Sequence, residues 1–329
     1  MNWLVVERGN IISPRLSLLI QKLGILDYEY VCFNFRKRKV INGLEYRPRS
    51  VRLRSLFAIY ELFLFAIWVK KLQKRSKYEA VLAGHYTIYL PLILVGVKNV
   101  TCDSNDLVST NSFLIFRLWM FFESLITMKS EIILASRYFE RFYLSKHIRV
   151  IENVCISDKR LTRLDVQFQR RIAFVGALRH VSILKNLIYA TSEAGWHLDF
   201  YGSGNVDETL KKYVEEGNYE NVTFHGRFIK SEIPKIYSEI NMLWAVYPSD
   251  NWNVKYAISN KYHESMLFKV PCVFASNTLL GKHVSENKIG FTIGDCNKQT
   301  IVDFLLQLNQ EGYIETRSNI NYYQDSYGI

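Results

Sequence analysis

Short runs of β-branched and aromatic residues alternate with longer stretches of helical periodicity along most of the chain. This alternation constrains the fold more than any other feature, because strands separated by helices form parallel sheets covered on both faces. In the first half the spacing predicts strands at Trp3–Val6, Tyr30–Phe33, Ala80–Ala83, Val97–Cys102, Ile132–Leu134 and Ile148–Ile151. Helices are predicted at Pro14–Lys22, Ser55–Gln73, Ser109–Thr127 and Ser136–Leu144. The pattern pauses over the polar stretch Glu152–Gln169 and resumes with strand Arg171–Val175, helix Ile183–Glu193 and strand His197–Tyr201. Helix Val206–Glu215, strand Val222–Phe224, helix Ile233–Ile240, strand Met242–Val246, a helix from Asn260 and strand Cys272–Ala275 complete it. A length of 329 residues holds two such domains, each with its own core. The expectation is an α/β chain of two doubly wound domains, 1–165 and 166–329, facing each other across a cleft at their strand C-termini, with room for the last residues to pack back on the first domain. Ligands of open α/β sheets bind beyond those strand ends.

The charge is divided unevenly. Residues 1–150 carry 23 Lys and Arg against 11 Asp and Glu, a net of +12, whereas residues 151–329 carry 19 against 20. Such asymmetry calls for an anionic partner of the first half, a membrane surface or nucleic acid. Arg36–Lys39, Arg47, Arg49, Arg52 and Arg54 precede the apolar run Leu56–Val69, and Lys70, Lys71, Lys74, Arg75 and Lys77 follow it. Phe113–Met128 is a second such run, rich in aromatics. Both are too short and too charged to span a bilayer; they read either as core helices or as elements in a membrane interface. No nucleic-acid-binding module is visible, so nucleic acid is not expected. The five scattered cysteines fit reduced thiols, and the start of the chain shows no secretory signal, which points to the cytoplasm.

One short stretch carries local chemistry. Ser259 or Asn260 can cap a helix whose first N–H groups and positive dipole end favour an anion. Lys261 adds a cation, and Glu264 stands one turn on along the same face. Diphosphate at the helix end and ribose hydroxyls on the carboxylate would suit this arrangement; an ordinary surface helix with solvated charges would suit it as well.

Several pieces of the second half stand in the order of one family: Ile172-Ala-Phe-Val-Gly-Ala-Leu-Arg179 with Lys185-Asn186, Leu198-Asp-Phe-Tyr-Gly-Ser-Gly204, Asn221-Val-Thr-Phe-His-Gly226, Ile233-Pro-Lys-Ile-Tyr237 and the Asn260 helix. Together they resemble the nucleotide-sugar-dependent glycosyltransferases of the GT-B fold, family 4, mostly retaining enzymes of bacterial lipopolysaccharide, capsule and exopolysaccharide synthesis. Ser13-Pro-Arg-Leu16, Gly84-His85, Thr101–Leu107 and Val150–Val154 match the first half more loosely. The resemblance implies that Glu264 holds the donor ribose and that Lys185 pairs with its diphosphate. Ser259, Asn260 and Lys261 would add N–H groups and charge, and Gly202 would line the nucleobase side. Arg179 would stand in for the arginine that Ala177 replaces. His85 and Asp103 would be catalytic at strand ends, with Gly9, Asn10 and Arg15 on the acceptor side. Tyr256 occupies the place of the family's first Glu. The donor would be a UDP- or GDP-sugar, no metal or other cofactor is expected, and the acceptor would be a lipid-linked glycan at the inner face of the cell membrane, the basic half resting on anionic lipid. The lost Glu and Arg motivate an alternative, a non-catalytic membrane-associated scaffold of the same fold.

Overall fold

The computed structural model describes residues 2–34, 40, 43–48, 56–76, 78–154 and 167–327. Two compact units are present, Met1–Asn153 and Val154–Ile329. The expected boundary at 165/166 falls in the stretch 155–166, outside the described residues, as do Arg36–Lys39, Arg49, Arg52, Arg54 and Lys77.

The first unit runs β1 (Trp3–Arg8), α1 (Pro14–Lys22), β2 (Tyr28–Phe33), β3 (Leu44–Tyr46), α2 (Leu56–Arg75), β4 (Ala80–Gly84), α3 (Tyr86–Leu94), β5 (Val100–Ser104), α4 (Phe113–Thr127), β6 (Glu131–Leu134) and β7 (Ile148–Val150). Its seven strands are parallel in the order β3-β2-β1-β4-β5-β6-β7, so the winding reverses between β1 and β4. Alternate residues feed opposite faces. Val6, Phe33 and Val81 pack under α2 and α3, while Val5, Cys32 and Leu82 pack against Leu16 and Leu19 of α1. Burial on both sides is why these strands read as continuous apolar runs.

The second unit runs β8 (Arg171–Val175), α5 (Val181–Glu193), β9 (His197–Tyr201), α6 (Asp207–Glu216), β10 (Val222–Gly226), α7 (Ile233–Glu239), β11 (Met242–Trp244), α8 (Trp252–Tyr256), α9 (Asn260–Phe268), β12 (Cys272–Ala275), α10 (Leu279–Glu286), β13 (Phe291–Ile293), α11 (Lys298–Gln307) and α12 (Gln310–Tyr327). Its parallel sheet has the order β10-β9-β8-β11-β12-β13, reversing between β8 and β11. Each unit is thus a Rossmann-like, doubly wound α/β body.

Some expectations are corrected. Ser136–Leu144 is not an α-helix but a 3₁₀ turn, Arg137–Phe142, because the chain turns extended at Tyr143 to bury that hydroxyl against Glu123 (2.6 Å) and Ser104 (2.8 Å). The helix predicted from Ser109 starts at Phe113, where Ser112 caps it by accepting from Ile115 N. Helix α9 ends at Phe268, with Lys269 left-handed (φ 56°). In α12, Asn319 donates to Lys288 O and Gln324 to Met266 O, and the Tyr323 hydroxyl meets His283 Nε2. Cys32, Cys102, Cys272 and Cys296 are free thiols, and Cys155 lies outside the described residues. Among the described residues no helix is long and apolar enough to cross a membrane.

Candidate functional site

In the second unit, chemistry gathers where the winding reverses. β8 runs into Gly176 (φ 138°) and β9 into Gly202 (φ 129°), conformations that L side chains rarely adopt. Gly176 N donates to Tyr201 O (2.8 Å) and Gly202 N to Gly226 O (2.6 Å). A Cβ on Gly202 would strike the Gly176 carbonyl, and one on Gly204 the Leu178 carbonyl, so the two loops lie backbone on backbone. Close packing is a sufficient reason for Gly202.

Helix α9 opens beside them. Ser259 caps it, its Oγ accepting from Lys261 N (3.2 Å), and Asn260 is its first residue. The Lys261 ammonium stands 2.6 Å from Glu264 Oε2, with both side chains about nine-tenths buried (12% and 10% exposed). Tyr237 of α7 donates its hydroxyl to the same oxygen at 2.5 Å, which leaves Oε1 without a protein partner among the described residues. Lys261 reaches from α9 to the loop after β8: its Cε lies 3.8 Å from where a Gly176 Cβ would stand. Tyr247, just beyond β11, joins this group. Burial pushes its phenol up to about 12, the Glu264 charge adds to that, and a hydrogen bond with Ser259 and the Arg179 charge oppose it. Arg179, Tyr247, Ser259, Lys261 and Glu264 therefore share one electrostatic neighbourhood at the β8–β11 switch. His180, left-handed at the start of α5 (φ 58°), sets its ring 6.2 Å from that of Tyr247.

Lys185 does not join them. It lies on α5 with its ammonium 4.7 Å from the ring centre of Tyr213 on α6, and the adjacent Asn186 bonds to Cys296 O. At the crevice Lys261 pairs with Glu264, and the Arg179 charge acts on Tyr247 beside them. Tyr256 closes the short helix α8 with its ring 6.3 Å from that of Trp252. Tyr237 and Tyr247 went unremarked in the sequence as site residues; the only signal was Tyr237 closing the quoted Ile233–Tyr237 run. Among the described residues, no three His, Cys, Asp or Glu side chains are grouped to hold a metal ion.

In the first unit the corresponding strand ends carry Glu7, Arg8, Gly9, His85 and Asp103. Gly9 (φ 144°) donates to Phe33 O, with Asn10 next in the turn to α1. Asp103 is 1% exposed and held by Arg15 through Nε (3.0 Å) and Nη2 (2.8 Å). Arg15 Nη1 also binds Ile151 O and Asn153 Oδ1. The two residues assigned from sequence to catalysis and acceptor contact thus form one buried ion pair. Burial pushes the Asp103 carboxyl up, and Arg15 opposes that shift. His85 caps α3: its Nδ1 accepts from Thr87 N (3.2 Å) and contacts Thr87 Oγ1 (2.8 Å), while Arg8 donates to that hydroxyl. An accepting Nδ1 places the ring proton on Nε2, so His85 presents a neutral N–H donor.

Burial, helped by Arg8, lowers the His85 pKa from 6.5 to about 4. Between those values the unfolded chain binds a proton there that the folded chain does not. Stability from this group is full above pH 6.5 and falls as pH drops through 4, by about 3 kcal/mol in total. Urea unfolding of the wild type and His85→Gln at stepped pH is expected to show that difference narrowing over this window; a constant difference would place the imidazole in solvent.

Residues 169–311 match the family described as Glycosyl transferases group 1. No curated protein matches the sequence. Among solved structures, Anabaena HepE in complex with UDP-glucose has a TM-score of 0.69 at 13% identity, over 99% of this chain and 95% of that one. Sucrose-phosphate synthase from Thermosynechococcus elongatus gives 0.65 at 14%, over 98% and 94%. WaaG, a glycosyltransferase involved in lipopolysaccharide biosynthesis, gives 0.64 at 12%, over 98% and 95%. The two Rossmann-like units thus make up a GT-B fold.

Proposed function

We propose that this chain, whose residues 169–311 match the group 1 glycosyl transferases, is an enzyme that transfers a sugar from a nucleotide-sugar, a UDP-sugar first, to a hydroxyl of a lipid-linked glycan in bacterial surface polysaccharide synthesis. The observation that carries the reading is the Lys261–Glu264 pair at the N-terminus of α9, set against the Gly176 loop at the sheet's switch point. A diphosphate placed there meets the helix N–H groups and a fixed ammonium, and Glu264 Oε1 is left to accept from ribose hydroxyls. The UDP and UDP-glucose of the HepE structures favour uridine over guanosine. Breaking the bond between the anomeric carbon and the diphosphate builds negative charge on the leaving oxygens. Lys261, with Arg179 near it, offsets that charge without rearrangement, in the role a metal plays elsewhere. The acceptor hydroxyl forms the new bond to the anomeric carbon, and its proton passes to the departing diphosphate oxygen; family resemblance supports retention at that carbon. His85, as a neutral donor in the first unit, suits a contact to sugar hydroxyl oxygen. The net +12 of residues 1–150 supports a cytoplasmic, peripheral place on anionic membrane.

Thermal unfolding with UDP, GDP, UDP-glucose and GDP-mannose tests the donor, and turnover with lipid-linked acceptors tests the reaction. Stabilisation by a uridine nucleotide with release of UDP is the expected result; nucleotide binding with no turnover over a broad acceptor panel would favour the scaffold reading that Tyr256 motivates. Within the site, Lys261→Ala is expected to lower kcat on the order of a hundredfold. Lys185→Ala, whose ammonium sits on Tyr213, is expected to change it less than about threefold. The reverse ranking in steady-state kinetics would return the diphosphate to α5.

A further inference from the structure

Helix α4 is built inside out. Its buried residues are Phe116, Met120, Glu123, Ser124 and Thr127, three of them polar. Its outward residues are apolar: Phe113, Leu114, Leu118, Phe121, Phe122 and Leu125 are 44–66% exposed. Water favours the opposite arrangement, since each large apolar side chain left outside forgoes about 1.5–3 kcal/mol of burial. The inward polar groups are satisfied. Glu123, 1% exposed, accepts from Tyr89 (2.5 Å), Tyr143 (2.6 Å) and Trp119 (2.8 Å), and Thr127 Oγ1 donates to Glu123 O (2.8 Å). This clamp fixes which face of the helix points out.

Helix α2, which packs on α3 as α3 packs on α4, buries Ala58, Phe65, Ala66 and Val69 but also leaves large apolar side chains outside. There Glu61 is 1% exposed while Phe57, Ile59, Tyr60 and Ile67 are 41–55% exposed. Charge follows suit. The acidic residues of α2 and α4 point inward, and every exposed charge described on or directly after these helices is a cation: Lys71, Lys74, Arg75, Arg117 and Lys129.

We propose that the outer face of α4, with that of α2 across α3, seats in the boundary between headgroups and acyl chains of an anionic bilayer. The apolar side chains enter the acyl boundary and the cations meet lipid phosphates. A second copy of the chain fits less well, because a self-complementary contact would oppose cation to cation. At 15 residues α4 is about 22 Å long and lies in the interface without crossing it. This inference rests on the membrane part of the reading above and is independent of the donor site.

The test uses the full chain and vesicles of phosphatidylcholine with or without phosphatidylglycerol, in a flotation assay at fixed salt. The wild type is expected to float with the anionic vesicles. The double variant Phe121→Glu, Phe122→Glu is expected to lose on the order of a hundredfold in partitioning, with its melting temperature and its response to UDP unchanged. As a second variant, Leu118→Cys carrying an environment-sensitive dye is expected to shift to the blue on anionic vesicles, compared with the unsubstituted chain treated alike. Flotation of the glutamate variant equal to the wild type, an unshifted dye, or conversion of a dimer to a monomer by the glutamates would each overturn the proposal. Turnover with a water-soluble acceptor, measured on the same samples, reports separately on the transferase reading: normal turnover with failed flotation sinks only the docking surface.

Discussion

Glu264→Ala is expected to reduce kcat/KM for sugar transfer on the order of a thousandfold, through two losses that kinetics and unfolding separate. The carboxylate positions Lys261 at 2.6 Å, so its removal frees the ammonium to swing away from the leaving diphosphate and lowers kcat. Oε1 is also the acceptor that the proposed site offers to the ribose, so the donor KM is expected to rise. Stability falls as well, because the buried Tyr237 hydroxyl and a nearly buried ammonium both lose their partner. Breaking a pair this deep costs about 3–5 kcal/mol. Tyr237→Phe separates the effects: it removes one hydrogen bond to the carboxylate, costs about 1–2 kcal/mol and should leave kcat within about tenfold. Near-normal donor kinetics in a folded Glu264→Ala enzyme would move the nucleotide elsewhere.

Arg15→Ala is expected to be among the most destabilising single changes in the first unit, at about 3–5 kcal/mol. It strands the Asp103 carboxylate inside the protein and unties Arg15 from Ile151 O and Asn153 Oδ1, which follow the last strand of that sheet. Burial already pushes the Asp103 carboxyl up, and without the guanidinium it rises further, so the variant should be relatively least impaired at acid pH. Urea unfolding at stepped pH checks both statements. A variant that unfolds like the wild type but has lost turnover would return Asp103 and Arg15 to the chemistry.

The sheets were legible in the sequence because both of their faces are buried: β8, β9 and β12 lie at the predicted residues. Helix α3 was missed because Tyr86–Leu94 is apolar all round and holds Pro91, leaving no period to detect. At the site, Ser259, Lys261 and Glu264 were legible because one helical turn joins them. The contact of Lys185 with Tyr213 was not: which neighbour a long side chain meets on α6 is a matter of tertiary packing. Nor did residue types reveal that Asp103 and Arg15, 88 positions apart, would spend their charges on each other.

Helix α9 is also braced from behind. Gln324 of α12 donates to Met266 O, and the hydroxyls of Tyr262 and Tyr323 meet on His283 Nε2 (3.2 and 3.1 Å). Helix α12 is therefore a splint for α9, and loosening it would slacken the frame that holds the Lys261–Glu264 pair without altering either residue.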